Sequence, residues 1–134
     1  LDLFAGSGIL GLEASSRGAK QVTFVERNRR IVNQLKETID TFGVQAKTQV
    51  YTQDAGQFVA YAEQQGQLFD VIFADPPFGI KGSKELPDEI IKSTLLKQDG
   101  IFIMEHPKDI NYEQHENLVL TRKFGNVHFS LFQH

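Results

Sequence analysis

The chain has 134 residues, 40% of them hydrophobic, with 11 Phe, no Trp, no Cys and a formal net charge of -3. That length suggests one domain with a sizeable core, and the missing thiols exclude disulfides and cysteine-ligated zinc. The acidic balance excludes a polycation, so any nucleic-acid contact must come from a local patch, and no apolar run approaches the roughly 18 residues of a membrane span.

Strands and helices alternate along the chain. Leu1-Asp2-Leu3-Phe4 reads as the end of a core strand, so an N-terminal segment is expected to precede it. Gly6-Ser7-Gly8 is a turn, and Ile9 to Arg17 is a helix stopped by Gly18. Val22-Thr23-Phe24-Val25 is the second strand. Asn28 can cap a helix reaching about Phe42, with Ile31, Val32, Leu35 and Ile39 at helical spacing and Gly43 ending it. Lys47 to Tyr51 is a weaker strand, and Asp54 can cap a helix through about Gln64. Phe69 to Ala74 is a buried strand, residues 79–87 form a loop, and Asp88 to about Lys97 is expected to be helical. Ile101 to Glu105 is a fifth strand. Asn117 to Lys123 and Val127 to Phe132, separated by Gly125-Asn126, read as a β-hairpin. This order implies a parallel sheet with helices on both faces and an antiparallel hairpin at one edge.

Gly6-Ser7-Gly8-Ile9-Leu10-Gly11 matches G-x-G-x-x-G between a strand and a helix, the context in which backbone amides approach a ligand. Glu26, at the end of the second strand, stands where an acid can hold ribose hydroxyls. Those two features alone fit a nicotinamide-dependent oxidoreductase. Asp2, inside the first strand, does not: a carboxylate repels a pyrophosphate and attracts an amine or a sulfonium. Asp75-Pro76-Pro77-Phe78 follows the fourth strand directly. An acceptor carboxylate, a Pro-Pro pair that fixes one carbonyl outward and a flat ring suit a planar substrate bearing an exocyclic NH2. The plain alternatives are a strand-ending turn for this stretch and a simple helix cap for Asp54.

Taken in order, Leu1 to Gly8, Glu26, Asp54 and Asp75 to Phe78 resemble the class I S-adenosylmethionine-dependent methyltransferases, and more narrowly the bacterial family that methylates a guanine N2 in 16S ribosomal RNA (the RsmD family). The hairpin Gly125 to Phe132 is similar to that family's C-terminal end. The resemblance implies a Rossmann-like α/β fold with a mostly parallel seven-stranded sheet in a single domain over 1–134. It also implies S-adenosylmethionine as cofactor and a cytoplasmic ribosomal RNA or small-subunit assembly intermediate as partner, with no metal and no membrane. Asp2, Ala5, Gly6, Ser7 and Gly8 would lie against the methionine part. Glu26 would take the ribose hydroxyls with Arg27 beside the adenine, and Asp54 would take the adenine amino group with the Ala55 amide beside the ring. Asp75, Pro76, Pro77 and Phe78 would receive the target base.

Rival substrates with the same chemistry are adenine N6 and a protein glutamine. A non-catalytic binding module is a further rival. Gly79 and Gly82 with Lys81 and Lys84 make the loop after Phe78 a candidate lid over an RNA backbone, or simply a solvated loop.

Overall fold

A computed structural model describes residues 1–134. The elements in chain order are α1 (Ile9–Ser16), β1 (Val22–Val25), α2 (Arg29–Phe42), β2 (Thr48–Tyr51), α3 (Ala55–Gln64), β3 (Phe69–Ala74), α4 (Leu86–Lys92), β4 (Leu96–Pro107), β5 (Leu118–Phe124) and β6 (Val127–Phe132). Two compact units divide the chain, Leu1–Tyr61 and Ala62–His134. No helix is long and apolar enough to cross a membrane.

In the first unit, β1 and β2 pair in parallel from Val22 opposite Thr48 to Val25 opposite Tyr51. All four residues of β1 are buried. Ala5, Val22, Phe24, Leu35 and Ile39 form its core, with Leu12, Ala19, Val44 and Val50 packed against them. α2 forms where the capping signals place it. Asn28 Oδ1 accepts from the amides of Arg30 and Ile31 at 3.0 and 3.3 Å, and Gly43 closes the helix at φ +66°. α1 behaves differently from an amphipathic helix: Gly11 and Ser15 face inward while Ile9 is 71% exposed. A Cβ on Gly11 would enter the Phe24 ring and meet Val22, so the missing side chain is what lets α1 approach β1.

In the second unit, the strand order is β3-β4-β6-β5. β3 and β4 run parallel, with Ala74 opposite Met104, and the β5–β6 hairpin adds antiparallel to β4. Ile72, Phe102, Met104 and Phe132 are buried on one face, with Leu86 and Ile90 of α4 also buried. Alternate residues leave the other face more open, and Val71 is 47% exposed.

Three expectations need correction. The ladders are a two-stranded parallel sheet and a four-stranded mixed sheet, not one mostly parallel sheet of seven strands. The Leu1–Phe4 segment contributes a single parallel bridge, Asp2 to Phe24, because the backbone already turns at Leu3 and Phe4. The hairpin makes the second sheet mixed. The expected helix over Asp88 to Lys97 instead spans Leu86–Lys92, with Pro87 in its first turn, where a missing N–H costs nothing. Leu95 and Leu96 are buried as strand entry, not as a helix face.

Candidate functional site

Within the first unit, the glycine turn wraps the end of β1. The Asp2 amide donates to the Thr23 carbonyl at 2.8 Å, the Val25 amide to Asp2 at 2.9 Å, and the Ala5 amide to Val25 at 2.9 Å. Gly6 then takes φ +52° and Gly8 φ +78°, left-handed conformations that favour glycine. A Cβ on Gly6 would meet nothing within 4 Å, so open space lies beside the turn, whereas one on Gly8 would strike the Leu35 side chain. Gly8 caps α1 with no side-chain hydrogen bond, and Ser7, Ile9 and Leu10 are exposed. The first amides of α1 therefore lack a side-chain acceptor, the usual preparation of a helix start for a ligand.

Glu26 ties this turn to the next one. Its Oε2 accepts from the Gly6 amide at 3.0 Å and its Oε1 from the Asn28 amide at 2.9 Å, while its own amide donates to the Tyr51 carbonyl at 3.1 Å. Each carboxylate oxygen keeps a lone pair for a further donor. Asp2 is only 3% exposed and sits one bridge away on the same ladder. Arg27 is exposed on the turn leading to α2. Asp54 stands before α3, where its Oδ1 accepts from the Gly56 amide at 2.9 Å, and Ala55 beside it is buried. Asp54 is thus the helix cap the spacing allows, and being exposed it can still accept from a ligand. Sequence reasoning overlooks Gln53, whose Oε1 is buried with no hydrogen-bond partner next to Asp54. No local signal distinguishes that amide from a solvated one.

Within the second unit, Asp75 follows Ala74 at the carboxyl end of β3. Pro76 is buried, Pro77 is exposed, and the Phe78 ring is 72% exposed. An aromatic left this open beside a carboxylate is a ready stacking surface. Asp75 stays in contact with solvent, yet partial burial pushes its carboxyl above the ordinary carboxylate range. Glu105 is also overlooked by sequence reasoning. Because Ala74 lies opposite Met104 on parallel strands about 4.8 Å apart, the next residues are Asp75, just past the end of β3, and Glu105, two residues before the end of β4. Burial first, and the Asp75 charge second, push Glu105 upward as well. No cation pairs with either acid. Ligands of open α/β sheets bind at this carboxyl rim, so an uncompensated acid pair there is a functional-site signal.

The family model described as "Conserved hypothetical protein 95" matches residues 1–133. "Ribosomal RNA small subunit methyltransferase D" of Haemophilus influenzae is 35% identical over 99% of this chain and 70% of its own length. Among solved structures, a hypothetical protein of Thermus thermophilus superposes with a TM-score of 0.87 at 32% identity, over 99% of this chain and 73% of the other. The 16S rRNA N2 G1207 methyltransferase of T. thermophilus, solved with AdoMet and guanosine, superposes with a TM-score of 0.77 over 98% of this chain and 36% of its own. At 23% identity that likeness shows a common fold. By the full-length family match and the Haemophilus relative, the chain belongs to the conserved hypothetical protein 95 family, that of the small-subunit ribosomal RNA methyltransferase D proteins.

Proposed function

We propose that this protein transfers a methyl group from S-adenosylmethionine to the exocyclic N2 of a guanine in 16S ribosomal RNA; the name of its Haemophilus relative supports methylation of small-subunit ribosomal RNA. The observation that carries the reading is the Asp75-Pro76-Pro77-Phe78 rim, an acceptor carboxylate and an open ring at the end of β3. The first unit supplies residues that fit the cofactor. Asp2 and Glu26 suit a ligand with an amine, a sulfonium and ribose hydroxyls, and the open Gly6 turn leaves room for it. Asp54, with the orphaned Gln53 Oε1 beside it, offers acceptors for an adenine amino group, flanked by Ala55 and Arg27. Ser7, Gly8 and Ala5 complete the turn on the methionine side.

The cofactor supplies an electrophilic methyl carbon on a positively charged sulfur. The chain's own residues must make a poor nucleophile attack it. An aromatic amine delocalises its lone pair into the ring. Asp75 and the Pro76 carbonyl accept its two N–H bonds, which favours a pyramidal nitrogen and stabilises the positive charge that builds there. Formation of the C–N bond would break the methyl–sulfur bond, its electron pair going to sulfur and the cofactor leaving as a neutral thioether, and one N–H proton must leave the nitrogen. Asp75, with its raised proton affinity, is the group placed to take it. Phe78 stacks on the base, worth about 1–3 kcal/mol. Glu105 gives a physical reason to prefer guanine. Guanine presents N1–H beside its amine, which a second carboxylate accepts, whereas adenine presents a lone pair at N1, which a carboxylate repels. Lys81 and Lys84 on the exposed loop would meet the RNA backbone. The cytoplasmic location and the use of a ribosomal assembly intermediate belong to the same proposal.

The test is methyl transfer from labelled S-adenosylmethionine to 16S RNA and to small subunits from cells lacking the gene, followed by nucleoside mass spectrometry. N2-methylguanosine, lost with Asp75→Ala, is expected. Methylated adenine, or label transfer that survives Asp75→Ala, would overturn the reading.

A further inference from the structure

We propose that Tyr112 is a positioning residue, whose hydroxyl fastens the far end of the Asp75–Lys84 segment to the strand pair from which that segment departs. The loop holds itself weakly. Its turns at Ile80–Pro77, Ser83–Ile80 and Glu85–Gly82 are each closed by one amide-to-carbonyl bond of 3.3 Å, at the long end of the range. Gly79 and Gly82, at φ +77° and +86°, are its two pivots. Phe78, near its start, is exposed and makes no ring contact.

Tyr112 lies in the connector between β4 and β5, far from this loop in sequence, and is 9% exposed. Its hydroxyl donates to the Lys84 carbonyl at 3.2 Å and sits 3.6 Å from Met104 Sδ. With one proton to give, it favours the carbonyl, and the sulfur is a packing neighbour. Met104 is the register partner of Ala74, the residue immediately before Asp75. One oxygen atom therefore touches the β4 side chain paired with the residue before the loop and the backbone at the loop's last residue. The ring cannot easily move away. It meets His106 edge-on at 5.0 Å and Phe132 at 5.4 Å, and His115 lies at 6.5 Å. His106 is itself held: Ser130 Oγ is 2.8 Å from its Nε2 and Thr121 Oγ1 is 2.8 Å from Ser130 Oγ. Burial, with the charges of Glu85 and Asp88, pushes the phenol up to about 12, so it remains a donor at every working pH.

The anchoring stands on geometry, while its consequence for catalysis rests on the methyl-transfer reading. Tyr112→Phe keeps the ring and deletes the hydroxyl. Trypsin under native conditions should then cut at Lys81 and Lys84 about fivefold faster than in the parent, the population change expected from one lost hydrogen bond. Cleavage at Lys36 in α2 and Lys123 in β5 should not change. Equal acceleration at all four sites would mark a merely structural role, and no acceleration would mean no anchor, so either overturns the proposal. In the transfer assay, kcat should fall about fivefold while S-adenosylmethionine affinity holds. An unchanged kcat rejects the positioning role. If the parent itself transfers no methyl group, the proposed reaction fails together with the catalytic consequence, and the trypsin result still decides the anchor.

Discussion

Replacing Glu26 by Ala should separate two jobs held by one carboxylate. Its two oxygens accept the amides of Gly6 and Asn28 at 3.0 and 2.9 Å, joining the glycine turn to the cap of α2. A hydrogen bond to a charged group contributes about 1.5–3 kcal/mol when desolvated. Glu26 is only half-buried, and water can reach the released amides, so about 1 kcal/mol each is the appropriate scale. A loss of about 2 kcal/mol in a chain of 134 residues lowers the melting temperature by about 7 °C. Glu26→Gln should be nearly as harmful, because one amide oxygen replaces two acceptors and its NH2 confronts a backbone N–H. The second job, under the proposed function, is ribose recognition. Losing both charge-assisted bonds should weaken S-adenosylmethionine by about 100-fold, on the order of 3 kcal/mol. Thermal unfolding of the ligand-free protein and titration calorimetry read the two effects separately. A melting temperature within a degree of the parent would refute the turn clamp, and an unchanged dissociation constant would remove Glu26 from the cofactor site.

Three further perturbations follow from the same geometry. Gly8→Ala places a β-carbon against Leu35 at φ +78°, so left-handed strain and overpacking together should cost about 2–4 kcal/mol in urea unfolding; parent-like stability would refute the close approach of α1. The acid limb of the pH–rate profile should lie above the ordinary carboxylate range, because Asp75 must be ionised to accept and burial raises its pKa. The sign for stability is opposite: a raised folded-state pKa favours the native state at low pH, and that advantage is lost as pH rises through it. Asp75→Asn should therefore melt no lower than the parent at neutral pH while losing turnover, and a lower melting temperature would contradict the burial argument. Glu105→Ala should erode the preference for guanine over 2-aminopurine, which keeps the 2-amino group but carries a lone pair at N1; an unaltered ratio would exclude Glu105 from base selection.

What the chain reveals in advance divides along the range of the interactions involved. α2 is readable to the residue because Asn28 and Gly43 act on their immediate neighbours. β1, β3 and the Gly125-Asn126 hairpin carry equally local signals. The fourth helix misleads because Leu95 and Leu96 continue a helical spacing that the backbone abandons at Ser93, whose ψ is 163°. Ser93 Oγ donates to the Ile90 carbonyl at 2.7 Å, and the Thr94 amide donates to Glu63, 31 positions away. A bond over that separation competes with the helix but leaves no trace in the local pattern. The same division explains the site. Asp75 to Phe78 announces itself because acid, prolines and ring are consecutive. Glu105 and Tyr112 do not, since their relevance arises only when β3 and β4 align Ala74 with Met104. Strand register, invisible to periodicity, brings an ordinary acid beside the candidate rim and an ordinary tyrosine against the β4 residue paired with Ala74. A one-residue slip of β4 would turn Glu105 to the opposite face and break both assignments together. Glu105 and Tyr112 are therefore best tested as a pair. If base selection and loop anchoring both fail, the fault lies in the β3–β4 register, whereas failure of one alone indicts only that side chain.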